Sequence, residues 1–375
     1  MKCITLFSLC ACLRSTYAIL ILLLASTTAV SAADTPDNSV LKHNTVILLY
    51  HHVSEETPAS TSISPDTFES HMAYLSKHHT VIALTQAVDA ITGGASLPEN
   101  SVVITFDDGY ANILHNAHPI LAKYGFPYTV FINPNEIGSH RQQLTWQQVD
   151  AMHNEGVTFA NHTLDHIHML DNSQTNTHWL ADVWQNVEQA EATLKDKVGV
   201  SLQYLAYPFG EFNEPLAAQV KRANYIGFGQ HSGAVGPLSD TSALPRFPAA
   251  GPYSNLATLK TKLKSIAMPV VNSTVVNPAL TSHTPPASVT LTIGNADTGL
   301  DIASDVSITQ TQCFFGGEKI STKTSSNKIT FYLETQLPTG RSRVNCTAPS
   351  KAHRGRYYWY SQPFFVANEQ GRYPD

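Results

Sequence analysis

The chain has 375 residues and a formal net charge of −6, with 23 Lys and Arg against 29 Asp and Glu. It contains no basic run, so nucleic acid and anionic membrane surfaces are excluded as natural partners, and a neutral or weakly cationic substrate fits better. Beyond the N-terminal leader, roughly 340 residues remain, more than one typical domain.

The leader, residues 1–32, reads as a signal peptide. Lys2 and Arg14 are the only charges before Asp34, the run from Ala18 to Ala25 is apolar but short, and Val30-Ser31-Ala32 offers small residues for cleavage. The other reading is an uncleaved anchor. Past it no long apolar run occurs, so an exported protein, periplasmic or extracellular, without an integral membrane segment after cleavage is expected. Cleavage removes Cys3, Cys10 and Cys12 and leaves Cys313 and Cys346. Two cysteines in an exported chain usually pair; the alternative is two buried thiols.

From Thr45 to Tyr50 the pattern predicts a strand. Ser64-Pro65 is an N-cap and first-turn pair opening a helix through Phe68, Met72 and Leu75. A strand over Thr80–Leu84 follows, then a short helix capped by Thr85 and stopped near Gly93-Gly94. Val102–Phe106 is a strand. The helix after it, from about Ala111 to Tyr124, contains Pro119 and should be kinked or divided there. Strands over Tyr128–Ile132, Val157–Ala160, Leu202–Tyr207 and Tyr225–Phe228 alternate with helices capped by Thr145, running Ala181–Val198 and around Leu216–Ala223. Repeated strand–helix units imply a parallel sheet with helices outside. Each polar motif falls just after an apolar strand, which favours a barrel with its chemistry at the C-terminal strand ends. The expected class is α/β: a distorted (β/α)7-type barrel over residues 44–267.

Residues 268–287, rich in Pro, Ser, Thr and Asn, read as a linker. In 288–372 the period becomes two: Val289, Leu291 and Ile293 alternate with threonines, as do Ile329, Phe331 and Leu333 with Thr330, Tyr332 and Glu334. A third strand region, Arg356–Val366, is aromatic and interrupted by Pro363. This predicts a small C-terminal all-β sandwich stapled by Cys313 and Cys346. The aromatics Tyr357, Tyr358, Trp359, Tyr360, Phe364 and Phe365 either stack on sugars or fill the sandwich core.

Two constellations carry chemistry. Asp107 and Asp108 end the Val102–Phe106 strand, where they would point to opposite faces unless Gly109 allows a turn that brings both to one opening. Two close carboxylates repel without a cation beside them, although Asp-Asp-Gly is also ordinary turn chemistry. His162 and His166, spaced i, i+4, would share one face of a helical turn just after a strand. Two imidazoles and a carboxylate suit a divalent metal with open positions for water. No Glu follows His162, so a zincin-type protease is disfavoured. Among 17 histidines, His78, His79, His115, His118 and His153 read as solvated or capping residues.

Thr105-Phe106-Asp107-Asp108-Gly109 and His162-Thr163-x-x-His166 resemble the first two motifs of the polysaccharide deacetylase family, the NodB-homology group or carbohydrate esterase family 4. The resemblance spans about Thr45 to Ala267. It implies Asp107 as general base and Asp108, His162 and His166 as ligands of a divalent metal, zinc first. Ala206-Tyr207-Pro208-Phe209-Gly210 matches the third motif, with Ala206 where the family carries Arg. Phe209 inherits the backbone N–H that holds the oxyanion. Arg246 stands either as a replacement for the missing Arg, orienting the base, or as a surface ion-pair partner. Tyr207, Pro208 and Tyr110 are implied at the substrate. Leu48-Leu49-Tyr50-His51-His52-Val53 resembles the opening motif of the circularly permuted branch that includes poly-β-1,6-N-acetylglucosamine deacetylases. There His51 supplies the acid, with His52 as second choice, unless both merely cap a strand.

The expected activity is metal-dependent removal of N-acetyl groups from an N-acetylglucosamine-containing polysaccharide. The alternatives are an O-acetyl esterase on xylan-type glycans and a catalytically silent glycan-binding protein on the same fold.

Overall fold

A computed structural model describes residues 39–295 and 299–374. The leader reading, residues 1–32, lies outside the described residues.

The first region is a curled parallel sheet wrapped in helices. Strand β1 (Thr45–Tyr50) is followed by the two-residue strands β2 (His52–Val53) and β3 (Ser62–Ile63), which pair with each other. Helix α1 (Pro65–His78) starts as its sequence dictates: Ser64 Oγ accepts from the Thr67 N–H and Pro65 sits in the first turn, an N-cap worth about 1 kcal/mol. After β4 (Thr80–Val81) comes α2 (Leu84–Gly93), which ends on left-handed Gly94. Its N-cap is Ala83, not Thr85. Leu84, Ala87 and Val88 are buried, and packing draws the first turn two residues earlier than a Thr85 cap would.

Strand β5 (Ser101–Phe106) feeds a segment divided as Pro119 requires: a π-helical turn over Ile113–Ala117, then α3 (His118–Tyr124). The remaining units are β6 (Thr129–Ile132), α4 (Trp146–Asn154, opened by a Thr145/Gln148 capping box), β7 (Thr158–Asn161), α5 (Trp179–Val198), β8 (Tyr204–Ala206), α6 (Glu214–Arg222) and β9 (Ile226–Phe228). Strand β10 (Phe247–Pro248) and helix α7 (Leu256–Lys262) complete the region.

The strand order is β10-β1-β5-β6-β7-β8-β9, all parallel. Residues 244–248 join the two ends. Leu244 bridges Phe228 in parallel, and Phe247 and Pro248 pair with Leu48 and Leu49. Both faces of the central strands are buried, and the packing partners alternate with the strand period. Val46, Leu48, Tyr50, Val102, Ile104, Phe106, Val130 and Ile132 pack with helix residues such as Phe68, Met72 and Met152. Ile47, Val103, Phe131 and Phe228 belong to a separate cluster. On β5, residues 103, 105 and 107 share that second face.

The C-terminal region is all-β. Six strands form one sheet, ordered β11 (Ser265–Ala267), β20 (Tyr357–Val366), β19 (Gly340–Pro349), β15 (Gln312–Phe315) and β16 (Glu318–Ile320), with β13 (Ala279–Leu280) also on β20. Four form the other: β12 (Val270–Ser273), β14 (Val289–Ile293), β18 (Lys328–Phe331) and β17 (Thr322–Ser325). Val289, Leu291, Ile293 and Phe331 share a core with Val344, Cys346, Tyr358 and Phe364 of the larger sheet. Cys313 and Cys346 are disulfide-bonded and directly opposite on β15 and β19, so the staple links neighbouring strands of one sheet.

Two expectations change. Residues 268–287, read as a linker, carry β12 and β13 and so extend both sheets at their edges. Strand β20 runs straight through Pro363. On one side β11 pairs with 357–359 and β13 with 365–366, so Pro363 falls in the gap between them, where no ladder asks for its missing N–H. The aromatics of β20 are mostly structural. Tyr358, Phe364 and Phe365 are buried, and Trp359 meets barrel residue Phe247 edge-on at 5.1 Å. Among the described residues no helix is long and apolar enough to cross a membrane.

Candidate active site

Asp107 follows the last residue of β5 and is fully buried. It keeps the facing of Val103 and Thr105. There it meets Arg246, also fully buried, on the segment that joins the sheet's ends. Arg246 Nη1 and Nη2 donate to Asp107 Oδ1 and Oδ2 at 2.7 and 2.8 Å, a bidentate fork. Its Nε donates to the Gly229 carbonyl at 2.9 Å, and the guanidinium lies 5.2 Å from the Phe131 ring centroid. Burial pushes the Asp107 carboxyl up, but the charges of Arg246 and His162 outweigh it and hold the group below the usual carboxylate range. Arg246 is thus a buried counter-charge of Asp107, not a surface ion-pair partner.

Asp108 would face the other way on a regular strand. Its backbone is left-handed at φ 72°, as is Gly109 at φ 72°, and the double turn swings its carboxylate to the same opening. Gly109 also has no room for a side chain, since a Cβ there would stand 2.8 Å from Ile132 Cγ2. With its amide oriented as its neighbours require, Gln143 donates to the Asp108 and Gly109 carbonyls at 3.0 and 2.7 Å, fixing the turn.

The two histidines arrive differently from expectation. Residues 162–168 form an irregular loop after β7, not a helical turn, with Thr163 and His166 left-handed at φ 67° and 50°. Polar side chains define that loop. Asn161 Oδ1 accepts from the Thr163 N–H at 2.8 Å, and Asn133, buried, donates to the Thr163 carbonyl at 3.2 Å. Asn133 and Asn161 are supports that the motif pattern did not reveal. His162 Nδ1 meets the Ala206 carbonyl at 2.8 Å. A carbonyl only accepts, so Nδ1 carries the proton and Nε2 turns a lone pair to the opening.

There the donor atoms converge. His162 Nε2 and His166 Nε2 each lie 3.2 Å from Asp108 Oδ1, and ligand atoms of the three residues all lie within 4.8 Å of one another. Asp108 Oδ1 and His162 Nε2 are buried with no hydrogen-bond partner. Acceptors facing acceptors at this range call for a cation. One carboxylate and two imidazoles suit a divalent ion of the zinc type. The electrostatics agree. Burial pushes Asp108 up, yet the His162 and His166 contacts hold it well below the usual range. Burial lowers His162, yet Asp107 and Asp108 raise it above the ordinary imidazole value, the same field that favours a cation.

His51, at the end of β1, feels both carboxylates. Burial lowers its imidazole, and Asp108 and Asp107 pull it back part of the way. It lines a cavity of about 220 Å³ together with Phe209. His52 is committed elsewhere: its ring stacks on Tyr110 at 3.7 Å, its Nδ1 accepts from Asn112 at 2.9 Å, and burial lowers it to about 4. Tyr110 shares a second groove, of about 480 Å³, with Asp108 and His166.

Phe209 is left-handed at φ 57°, between Pro208 and Gly210. Gly210 is left-handed at φ 74°, and a Cβ there would strike Gln230 at 2.7 Å. Three contacts hold the loop. The His168 ring stacks on Phe209 at 3.8 Å, His166 meets it edge-on at 4.6 Å, and Arg341 of β19 donates to its carbonyl at 2.9 Å. Neither His168, which pairs with buried Glu211 at 3.0 Å, nor Arg341 carries a signal in sequence. Tyr207 and Pro208, expected at the substrate, are buried. The Tyr207 hydroxyl donates to the Ser242 carbonyl at 2.6 Å and its ring stacks on Phe212, so it supports the loop from behind.

Residues 94–227 match the family model described as polysaccharide deacetylase. That span includes Asp107, Asp108, His162, His166 and Phe209; His51 and Arg246 lie outside it. The chain is 28% identical over 260 residues to a poly-β-1,6-N-acetyl-D-glucosamine N-deacetylase of Staphylococcus epidermidis, covering 61% of this chain and 89% of the relative. Among solved structures, a de-N-acetylase from Aggregatibacter actinomycetemcomitans superposes with a TM-score of 0.53 at 20% identity, covering 58% of this chain and 99% of the other. A Streptococcus pyogenes deacetylase in complex with acetate gives 0.52 at 21%, covering 59% and 98%. The last two establish the barrel fold. Residues 94–227 thus carry a polysaccharide deacetylase domain, and the chain is similar to deacetylases of that family over its barrel region.

Proposed function

We propose that this chain is an exported, metal-dependent N-deacetylase acting on an N-acetylglucosamine polymer, with poly-β-1,6-N-acetylglucosamine as the first substrate to test. The observation that carries the reading is the pairing of a guanidinium-clamped carboxylate with a separate carboxylate–diimidazole cluster at one end of the barrel. Asp108, His162 and His166 would hold the ion. When bound, it would supply Lewis-acid polarisation of the acetamide carbonyl and acidify water.

The protein's own residues would do the rest. Asp107, kept anionic by Arg246, takes the proton of the attacking water as the C–O bond forms. The Phe209 N–H donates to the developing oxyanion, on a loop fixed by Pro208, Gly210 and Arg341. His51 gives its proton to the departing sugar nitrogen as the C–N bond breaks, releasing acetate and a free amine. His52 is unsuited to that role because its ring is stacked and bonded. The split into a leader (1–32), a catalytic domain (44–267) and an accessory β region (288–372) belongs to the same proposal. The Cys313–Cys346 bond supports an oxidising compartment.

An acetate-release panel tests this. It takes poly-β-1,6-N-acetylglucosamine, chitin oligomers, peptidoglycan and acetylated xylan, each with chelator and after zinc is restored. Release from an N-acetylated polymer, abolished by chelator and recovered with zinc, is the expected result. Release from acetylated xylan alone would make the protein an O-acetyl esterase, and none from any glycan would leave a binding protein.

A further inference from the structure

The cavity beside His51 has a wall that the reaction does not use. Gln230, His231 and Tyr253 line it from the barrel, and Arg341, Ser342 and Arg343 from β19 of the C-terminal sheet. Two polar atoms of these lining residues, His231 Nδ1 and Ser342 Oγ, are buried with no hydrogen-bond partner, the former packed close to Gly229, where a Cβ would stand 2.5 Å from it. Such atoms are costly to bury unless something completes them. Tyr253 is 38% exposed and presents an aromatic ring, held by Arg343 Nη2 to its hydroxyl at 3.3 Å. Arg341 Nη1 spans Gln230 Oε1 and the Phe209 carbonyl, each at 2.9 Å, tying this wall to the loop at the reaction centre. Burial and the Arg343 charge hold His231 down at about 4, so it is a neutral hydrogen-bonding group.

A sugar ring matches each feature. Its hydroxyls both donate and accept, as Ser342 Oγ and a neutral imidazole require. Its C–H face packs on an aromatic ring. Two guanidiniums at the rim repel a cation, so an ammonium-bearing sugar is disfavoured against an uncharged one.

We propose that this cavity is a second sugar subsite, built jointly by the barrel and the C-terminal sheet. It holds a still-acetylated, uncharged hexosamine adjacent in the polymer to the one losing its acetyl group, and it rejects a glucosammonium neighbour. The proposal rests on the deacetylase reading above and adds what the enzyme reads next to the scissile unit.

The test compares kcat/KM of the full-length, metal-loaded enzyme on three substrates, below the amine pKa. These are an N-acetylglucosamine dimer, the fully acetylated pentamer and a pentamer carrying free amines beside acetylated units. The acetylated pentamer should exceed the amine-bearing one by about tenfold. Ser342→Leu, which fills the cavity, should erase most of the pentamer's advantage over the dimer. Ser342→Ala, which perturbs packing less, should reduce that advantage by about threefold. Arg343→Gln should narrow the gap between acetylated and amine-bearing pentamers while leaving the length dependence in place. A folded Ser342→Leu protein with an undiminished pentamer advantage overturns the subsite, as does wild-type enzyme indifferent to neighbouring amines. Failure of the deacetylase reading looks different: wild-type enzyme would release no acetate from any of the three, and the subsite would fall with it.

Discussion

Asp107 and Asp108 are neighbours in sequence, equally acidic in composition, and opposite in circumstance. Asp107 has both oxygens taken by a guanidinium. Asp108 has an oxygen that faces imidazole nitrogens without a hydrogen bond. One corner is complete as a protein interaction, whereas the other gathers ligand atoms that could hold a cation. The difference shows how one strand end can present two carboxylates with different neutralising partners, as the proposed base and ligand roles require. A buried carboxylate behaves according to what neutralises it, and the Arg246 guanidinium occupies both oxygens that Asp107 could otherwise offer to an ion.

His162→Ala should have the largest effect, removing the ion itself; metal analysis after dialysis should find the protein empty and acetate release abolished. Tight zinc retention in that variant would break the ligand corner. Asp107→Asn should keep the ion yet lose about 10²–10⁴ in rate, so full activity with normal metal content would break the base corner. Arg246→Met should act on stability as well, because it leaves a buried carboxylate without its counter-charge, at a cost of about 3–5 kcal/mol. The sign with pH follows from the depressed Asp107 carboxyl. In the parent protein its contribution is fully present above the ordinary carboxylate value of about 3.9 and fades as pH falls through the lower folded value. Urea unfolding from neutral to acid pH should therefore show the Arg246→Met deficit shrinking on acidification. Arg341→Ala, the mildest, should lower kcat by up to about tenfold with metal content unchanged; an effect on KM alone would mean that it holds substrate and not the Phe209 loop.

Local rules carried much of the fold. Ser64-Pro65, the Thr145/Gln148 box and the glycine stops at 94, 125 and 199 lie where capping chemistry puts them. The sequence was less informative where a distant partner decides. Thr85 lost its cap to the burial of Leu84. The i, i+4 spacing of His162 and His166 suggested a helix, but Asn133 and Asn161 impose a left-handed loop that spacing cannot encode. Edge pairing absorbed the apparent linker. Arg246 was a candidate because the third motif carries Ala206 in place of its Arg, yet only the joining of the sheet's ends brings it to Asp107. Arg341 and Ser342 had no local signature, since their importance depends on two regions meeting.

The stretch from Leu244 to Pro248 both seals the ring of strands and delivers the guanidinium. A chain that ends before it would have to bury Asp107 without compensation, so closing the barrel and neutralising that carboxylate are one event. A copy clipped before this stretch could still assemble Asp108, His162 and His166, but its Asp107 would be left without a guanidinium.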